Sequence, residues 1–134
     1  MTVATNQALE TIYGEVKRHE ACLAKVERSA FRVERDIFGS LLAESRAIGH
    51  DLENVMIERN MSPDQIDIPS ANQTVTPHSL IDQRNKIRDS YAAAIADFTT
   101  QSSVRDCLES HLTRFSGSGQ DKLEILCAAV VSDQ

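Results

Sequence analysis

The sequence contains no tryptophan, and aromatic side chains make up only 4% of its 134 residues. Three cysteines are too few for a disulfide framework or for a four-cysteine zinc site within one chain. The longest uncharged apolar run, Ile125 to Val131, has seven residues, whereas a membrane-spanning helix needs about 20. These shortages exclude a small disulfide-stapled protein and a membrane-spanning one.

The charge balance excludes further classes of partner. Acidic residues outnumber basic ones by 20 to 14, which gives a net charge of −6. Nucleic acids and anionic membranes attract positively charged proteins, so neither is an expected partner. The first six residues lack the basic and apolar regions of a secretory signal peptide. We therefore expect a cytoplasmic protein that binds other proteins, including itself.

The remaining composition is that of an ordinary globular domain. Apolar residues are 41% and charged residues 25% of the chain. A single hydrophobic core usually organises 50 to 200 residues, so residues 1–134 are predicted to form one domain.

A long stripe with the period of an α-helix marks the first half of the chain. Strict alternation of apolar and polar residues is absent, which favours helix over strand. A single helix over residues 6–60 would be roughly 80 Å long and would need a partner along its length, as in a coiled coil. A hairpin broken between residues 29 and 40 would bury the stripe within one chain, with Gly39-Ser40 as its only punctuation. We favour the hairpin, but both readings stay open. The stripe consists of Leu9, Ile12, Val16, His19, Leu23, Val26, Ala30, Val33, Ile37, Leu41, Ile48, Leu52 and Val55.

Proline divides this half from the second. All three prolines fall between residues 63 and 77, which predicts a connection over residues 61–77 because proline breaks helices. Within it, Ser62 to Gln65 looks like a capped helical turn. Thr76 followed by Pro77 is a helix start, and an overlapping capping box begins at Ser79.

Further signals mark the rest of the second half. The third helix carries the stripe Leu80/Ile81, Arg84, Ile87, Tyr91, Ala94/Ile95 and Phe98. A second capping box at Ser103 predicts a fourth helix, and the run Ser116–Gly119 ends it. A short apolar helix over residues 120–131 follows. The predicted fold class is all-α: a four-helix bundle with a long helix 2–helix 3 connection and a short fifth C-terminal helix.

One segment resembles a known superfamily. From Phe38 to Leu52 an aromatic residue is followed by Glu44, then by His50, then by an apolar face, and this is similar to the second helix of ferritin-like four-helix bundles. The short fifth helix also resembles the ferritin arrangement. The resemblance implies a bundle joined by one long crossover, with metal or a small ligand bound inside it.

The metal motif of that superfamily is missing here. Di-iron and di-manganese bundles use Glu-x-x-His on two helices. The residues three positions before His19, His50, His78 and His111 are Val16, Ala47, Val75 and Leu108, and none of them is acidic. Ferroxidase chemistry is therefore not expected, and no cofactor is predicted.

Other metal arrangements are weaker candidates. Glu15 with His19, and Cys107 with His111, are spaced i, i+4 on one helix face, so each pair could supply half of a zinc site. The candidate ligands are Glu15, His19, Glu44, His50, Cys107 and His111. The competing interpretation is a packed histidine beside an exposed carboxylate, and a buried cysteine.

Catalytic motifs are absent from the sequence. It has no phosphate-binding glycine loop, no Cys-x-x-Cys and no Gly-x-Ser-x-Gly elbow. Cys107 with His111 is the sole local nucleophile–base pair, and Asp106 and Glu109 flank that thiol with negative charge, which disfavours a reactive thiolate. Arg84, Lys86 and Arg88 are interpreted as a solvated, salt-bridged face. The sequence thus favours a non-enzymatic protein with no catalytic residues.

The predicted tail helix is the candidate interface. It is apolar on most faces, so it must pack on its own bundle or on a second chain. The residues expected to make that contact are Leu123, Ile125, Leu126 and Val130. We expect an interaction protein that self-associates or acts as an adaptor. The alternatives are a ferritin-like protein that binds metal or a small ligand, and a small acidic secretion-type chaperone.

Overall fold

The computed structural model describes residues 2–29, 32–66, 68, 75–97, 102–115, 117 and 121–126. A 3-10 turn at Pro63–Gln65 follows the second helix, and residues 121–126 form a further helical segment. No strand occurs among the described residues, which confirms the all-α prediction. None of the helices in these ranges combines the length and apolar character needed to cross a bilayer. The four α-helices are α1 (Thr2–Ser29), α2 (Arg32–Glu58), α3 (Pro77–Asp97) and α4 (Ser102–Phe115).

The long stripe folds back on itself as two helices. Helix α1 ends at Ser29 and α2 begins at Arg32, so the hairpin is confirmed over the single rod, and residues 30 and 31 lie outside the described ranges. The expected punctuation at Gly39-Ser40 was wrong as a breakpoint, since both residues lie inside α2. Glycine costs a helix only about 1 kcal/mol relative to alanine. Burial of Phe38 and Leu41 on either side offsets that cost.

Side-chain contacts fix the directions of the helices. Arg59, just beyond α2, donates to Asn6 Oδ1 near the start of α1, and Arg35 near the start of α2 donates to Glu27 O, so α1 and α2 are antiparallel. In the same way Ser90 of α3 bonds Glu15 of α1, while the earlier Gln83 meets the later His19. Helix α3 is therefore antiparallel to α1 and parallel to α2.

Helix α4 packs on α3, again in the antiparallel sense. Arg84 near the start of α3 contacts Phe115 at the end of α4, and Tyr91 meets His111 one to two turns further along. Helix α1 packs on both α2 and α3 and is the central element of the described structure.

Local sequence signals explain the start of α3. Pro77 is its first residue, as predicted. The Ser79 amide donates to Thr76 Oγ1 at 3.1 Å, and the Thr76 amide donates to Ser79 Oγ at 2.9 Å. This is a reciprocal capping box in which serine takes the usual place of glutamate. The predicted helical turn at Pro63–Gln65 is also confirmed, but Ser62 makes no side-chain cap hydrogen bond.

The end of α2 uses a motif that the sequence reading missed. Asn60 has a φ of 62°, in the left-handed region. The Met61 amide donates to Met56 O at 2.9 Å, and the Asn60 amide donates to Ile57 O at 3.0 Å. These two bonds define a Schellman motif with asparagine in place of the usual glycine. The motif ends α2 before the first proline is reached.

The buried apolar side chains form two clusters along the helices. Most positions of both predicted stripes belong to them, whereas Ala30 and Phe98 lie outside the described residues. Cluster A contains Leu9, Ile12, Tyr13, Val16, Ile48, Leu52, Met56, Ile87, Tyr91, Ala94, Leu108 and Phe115. Cluster B contains Cys22, Leu23, Phe38, Leu41, Leu42, Leu80 and Leu123. The tail segment thus closes the second cluster through Leu123.

Candidate functional site

Polar side chains with almost no solvent exposure lie between cluster A and cluster B. They come from three helices: His19 from α1, Ser45 from α2 and Arg84 from α3, and all three are fully buried. We call this set, with Gln83 and Glu44, the polar layer. Burying a polar group is unfavourable unless it finds a partner, so each contact in this layer bears on what it can do.

His19 is held by a side-chain amide on α3. Its Nδ1 lies 2.8 Å from Gln83 Oε1, and the other end of that amide donates to Cys22 Sγ at 3.3 Å. An amide oxygen only accepts, so Nδ1 carries the imidazole proton. The remaining nitrogen, Nε2, is buried and has no hydrogen-bond partner among the described residues. Burial lowers the pKa of His19 to about 4; the bond to Gln83 opposes the shift and the Arg84 charge adds to it.

Arg84 connects α3 to the end of α4. Its guanidinium donates to Phe115 O at 3.1 Å and to Arg114 O at 3.5 Å, and it lies 4.9 Å from the centre of the Phe115 ring. Helix C-termini leave carbonyls without intrahelical partners and carry partial negative charge, which suits a cation. Glu44 of α2 lies 3.5 Å away as an ion pair. Burial lowers the pKa of Arg84, and Glu44 opposes that shift.

A second network of hydrogen-bonded side chains links α2, α3 and α4. His111 is buried, with Nδ1 2.9 Å from the Tyr91 hydroxyl and Nε2 3.1 Å from Asp51 Oδ2. A carboxylate accepts only, so Nε2–H donates to Asp51 and the Tyr91 hydroxyl donates to Nδ1. The Tyr91 ring also meets the His111 ring edge-on at 5.7 Å. Burial raises the pKa of Tyr91 well above its ordinary value, which keeps the phenol protonated as a donor.

Cys107 lies beside this network, but the network does not activate its thiol. Its Sγ is 3.7 Å from His111 Nε2, the same nitrogen that donates to Asp51. In a nucleophilic triad the base nitrogen facing the thiol is unprotonated and the carboxylate holds the opposite nitrogen. Burial and the Asp51 charge raise the pKa of Cys107, so the thiol form is favoured. The arrangement is not that of a nucleophile and its base.

The structure distributes the candidate metal ligands over separate places. Glu15 accepts a hydrogen bond from Ser90, His19 bonds Gln83, and His50 is exposed on α2. Cys107 and His111 do meet, as their spacing predicted. Within the described ranges, no three His, Cys, Asp or Glu side chains are grouped as a metal site requires.

The candidate interface residues have three different environments. Leu123 is buried in cluster B, Leu126 is half-buried against it, and Ile125 is 67% exposed. Val130 lies outside the described residues. The tail segment thus presents one side to its own chain and one large apolar side chain to the surroundings.

Sequence reasoning missed several members of these networks. Asp51, Tyr91 and Gln83 received no polar role, although Tyr91 was placed correctly on the buried stripe. Arg84 was assigned to a solvated basic face, and this was wrong, because it is fully buried. Its position on the apolar stripe of α3 was the signal that could have shown this.

No family model, curated protein or solved structure matches this chain.

Proposed function

We propose that this chain is a non-enzymatic helical interaction protein that self-associates through its exposed isoleucines. The observation that carries the proposal is the exposure of large apolar side chains on otherwise well-packed helical segments. Ile125 in the tail segment is 67% exposed and Ile57 near the end of α2 is 60% exposed. The two side chains mark separate surfaces, because Met56, next to Ile57, packs in cluster A, whereas Leu123 of the tail segment packs in cluster B. Each is a candidate contact, since protein interfaces bury exposed apolar surface.

The hydrogen bonds of the buried polar side chains support the same proposal. His111, Arg84 and His19 bind groups of other helices, and these bonds join helices together rather than presenting a reactive atom. Hydrogen bonds between helices of this kind stabilise the fold. Its exposed faces are then the parts that can bind a partner.

Sedimentation of the full chain at tens of micromolar tests self-association. We expect a species larger than the monomer for the native chain. Substituting Ile125→Asn or Ile57→Asn shifts that species toward monomer, whereas Ala21→Ser on the exposed side of α1 leaves it unchanged. A native chain that remains monomeric contradicts self-association. It would leave the adaptor role, or that of a small acidic secretion-type chaperone, to be tested with partner proteins.

We also propose the finer architecture that the sequence resemblance implies, a ferritin-like four-helix bundle. It is supported by the directions of the helices: α2 and α3 run the same way, so Glu58 and Pro77 lie at opposite ends of the helices. A connection between opposite ends is typical of ferritin-like folds. Elemental analysis of the purified chain tests the metal-binding alternative, and stoichiometric iron, manganese or zinc would favour it over the interaction protein.

A further inference from the structure

The polar layer joins the end of α4 to each of the other three helices. Phe115, the last residue of α4, packs its ring against His19 at 6.4 Å between ring centres and against the Arg84 guanidinium at 4.9 Å. Its carbonyl accepts from Arg84, which faces Glu44 of α2. Helix α4 packs mainly on α3, and it spans 14 residues, a length at which isolated helices are marginal in water. Its attachment therefore depends on contacts with other helices, and those of Phe115 are among them.

Among the described residues, the buried imidazole of His19 has no acceptor for a second proton. Gln83 already accepts from Nδ1, and Nε2 has no hydrogen-bond partner among the described residues. A proton on Nε2 would place an unsatisfied N–H and a positive charge inside the protein. The groups that face it are Arg84 from α3, Glu44 of α2 across the guanidinium, Phe115 from α4, and Cys22 on its own helix. The nearest charge is thus of the same sign, and Arg84 already neutralises Glu44.

We propose that the polar layer is an acid-sensitive latch that releases α4 and the tail segment from α1, α2 and α3. When Nε2 takes up a proton, the buried ring becomes a cation whose new N–H has no acceptor among the described residues, and the Arg84 charge adds to the cost. His19 is fixed on the central helix, whereas Arg84 holds the end of α4 by its carbonyls. The Phe115 ring of α4 packs against His19, so release of this short helix is the movement that admits water to the charged imidazole. Release exposes Tyr91, Leu108 and Phe115 of cluster A.

The second buried histidine, His111, contributes to the same pH dependence. His111 faces Asp51 from α2, Tyr91 from α3, and Cys107 and Arg114 on α4 itself. Burial lowers the pKa of His111, but Asp51 opposes that shift through both a hydrogen bond and its charge. Because the net shift of the His111 pKa is downward, the closed form binds this proton more weakly than a solvated ring does. Protonation of His111 therefore also favours the open form, and the Asp51 contact limits the size of that effect.

The direction of the pH dependence follows from linkage. The pKa of His19 in the closed form is about 4, below the 6.5 of a free imidazole, so the open form binds the proton more tightly. Stability of the closed form is complete above pH 6.5 and is lost as the pH falls from there through 4. Between pH 7 and pH 4.5 the opening equilibrium shifts by roughly fiftyfold.

Hydrogen exchange of the full chain, corrected for intrinsic exchange rates, tests the latch. We expect protection factors of α4 amides to fall by about fiftyfold between pH 7 and pH 4.5, while α1 amides keep theirs. His19→Gln preserves a hydrogen-bonding side chain that does not titrate, and it removes most of this pH dependence, leaving the part that His111 contributes. His50→Gln, at an exposed position of α2, retains it. Loss of protection in α1 and α4 at the same pH, or an unchanged pH dependence in His19→Gln, overturns the proposal.

A titration of the native chain by nuclear magnetic resonance covers the case in which His19→Gln does not fold. The His19 ring signals and the α4 amide signals should change together over one pH range. Uptake of a proton by His19 with α4 signals unchanged refutes the latch, and so does opening of α4 without titration of His19.

Discussion

At the scale of single residues, buried polar side chains specify how the helices meet. The Tyr91 hydroxyl bonds His111, and His111 bonds Asp51, so one chain of contacts connects three helices. An intramolecular hydrogen bond contributes only about 1 kcal/mol net to the free energy of unfolding. A buried donor or acceptor left without its partner costs about 1–3 kcal/mol. Removing one of these residues therefore destabilises the protein mainly through the buried partner that is left without a hydrogen bond.

Tyr91→Phe isolates one such bond. The ring remains in cluster A, but Nδ1 of His111 loses its donor in a buried place, so we expect the free energy of unfolding to fall by about 1–2 kcal/mol. Urea denaturation measures the change. Tyr13→Phe removes a phenol hydroxyl elsewhere in cluster A and serves as the control. Equal losses in both variants would contradict a special role for the Tyr91–His111 bond.

Arg84→Met tests the connection between α3 and α4. Methionine fills similar space but donates no hydrogen bond, so the carbonyls of Phe115 and Arg114 and the Glu44 carboxylate lose their partner. We expect a loss of about 2–4 kcal/mol in unfolding free energy, close to that for breaking a buried ion pair. Arg88→Met, one turn along α3, is the control. Adding Glu44→Met should recover part of the lost unfolding free energy, because it removes the carboxylate that Arg84→Met leaves unpaired. No recovery would show that an unpaired Glu44 does not destabilise the protein.

At the scale of secondary-structure elements, the ends of helices are set locally. Helix α2 ends where Asn60 enters the left-handed region, and α3 begins where Thr76 and Ser79 cap each other. Neither end requires a distant residue.

Substitutions at Asn60 rank the cost of this left-handed turn. Glycine adopts a positive φ without steric cost, whereas a β-carbon there costs about 1–2 kcal/mol unless a polar side chain compensates. We therefore expect thermal stability in the order Asn60→Gly, native, Asn60→Ala, with about 1 kcal/mol between the two variants. Differential scanning calorimetry gives the order. Equal thermal stability of Asn60→Ala and Asn60→Gly would show that the Schellman motif does not form at the end of α2 in solution.

At the scale of the whole molecule, the tail segment has one side in the core and one side exposed. Leu123 and Ile125 are two residues apart, but Leu123 is fully buried and Ile125 is mostly exposed. The first joins the tail to cluster B, and the second has no comparable burial.

Alanine at each of these positions should give opposite results. Leu123→Ala should lower the unfolding free energy by about 2–4 kcal/mol through loss of core packing. Ile125→Ala should change it by less than about 0.5 kcal/mol, while weakening self-association. Urea denaturation below the association range and sedimentation above it measure the two effects. A large stability loss at Ile125 in dilute solution would place that side chain in the core of its own chain instead.

The sequence alone determined the helical class and several element ends, because their signals are local, but it did not locate the break between α1 and α2. Helical spacing identified the buried faces, Pro77 set the start of α3, and the break after Phe115 was visible in the residues that follow it. The end of α2 at Asn60 was also local, but asparagine is an uncommon choice there, so it was missed.

Only the tertiary structure decided which polar residues meet. Asp51 and His111 are 60 positions apart, and no spacing rule relates them. Arg84 carried two contradictory signals: its residue type predicts exposure, whereas its place on the apolar stripe predicts burial. Packing resolved them, because the end of α4 places two acceptor carbonyls where that guanidinium can donate. A buried charge is tolerated where partners from other elements converge on it, and that convergence exists only once the helices have packed.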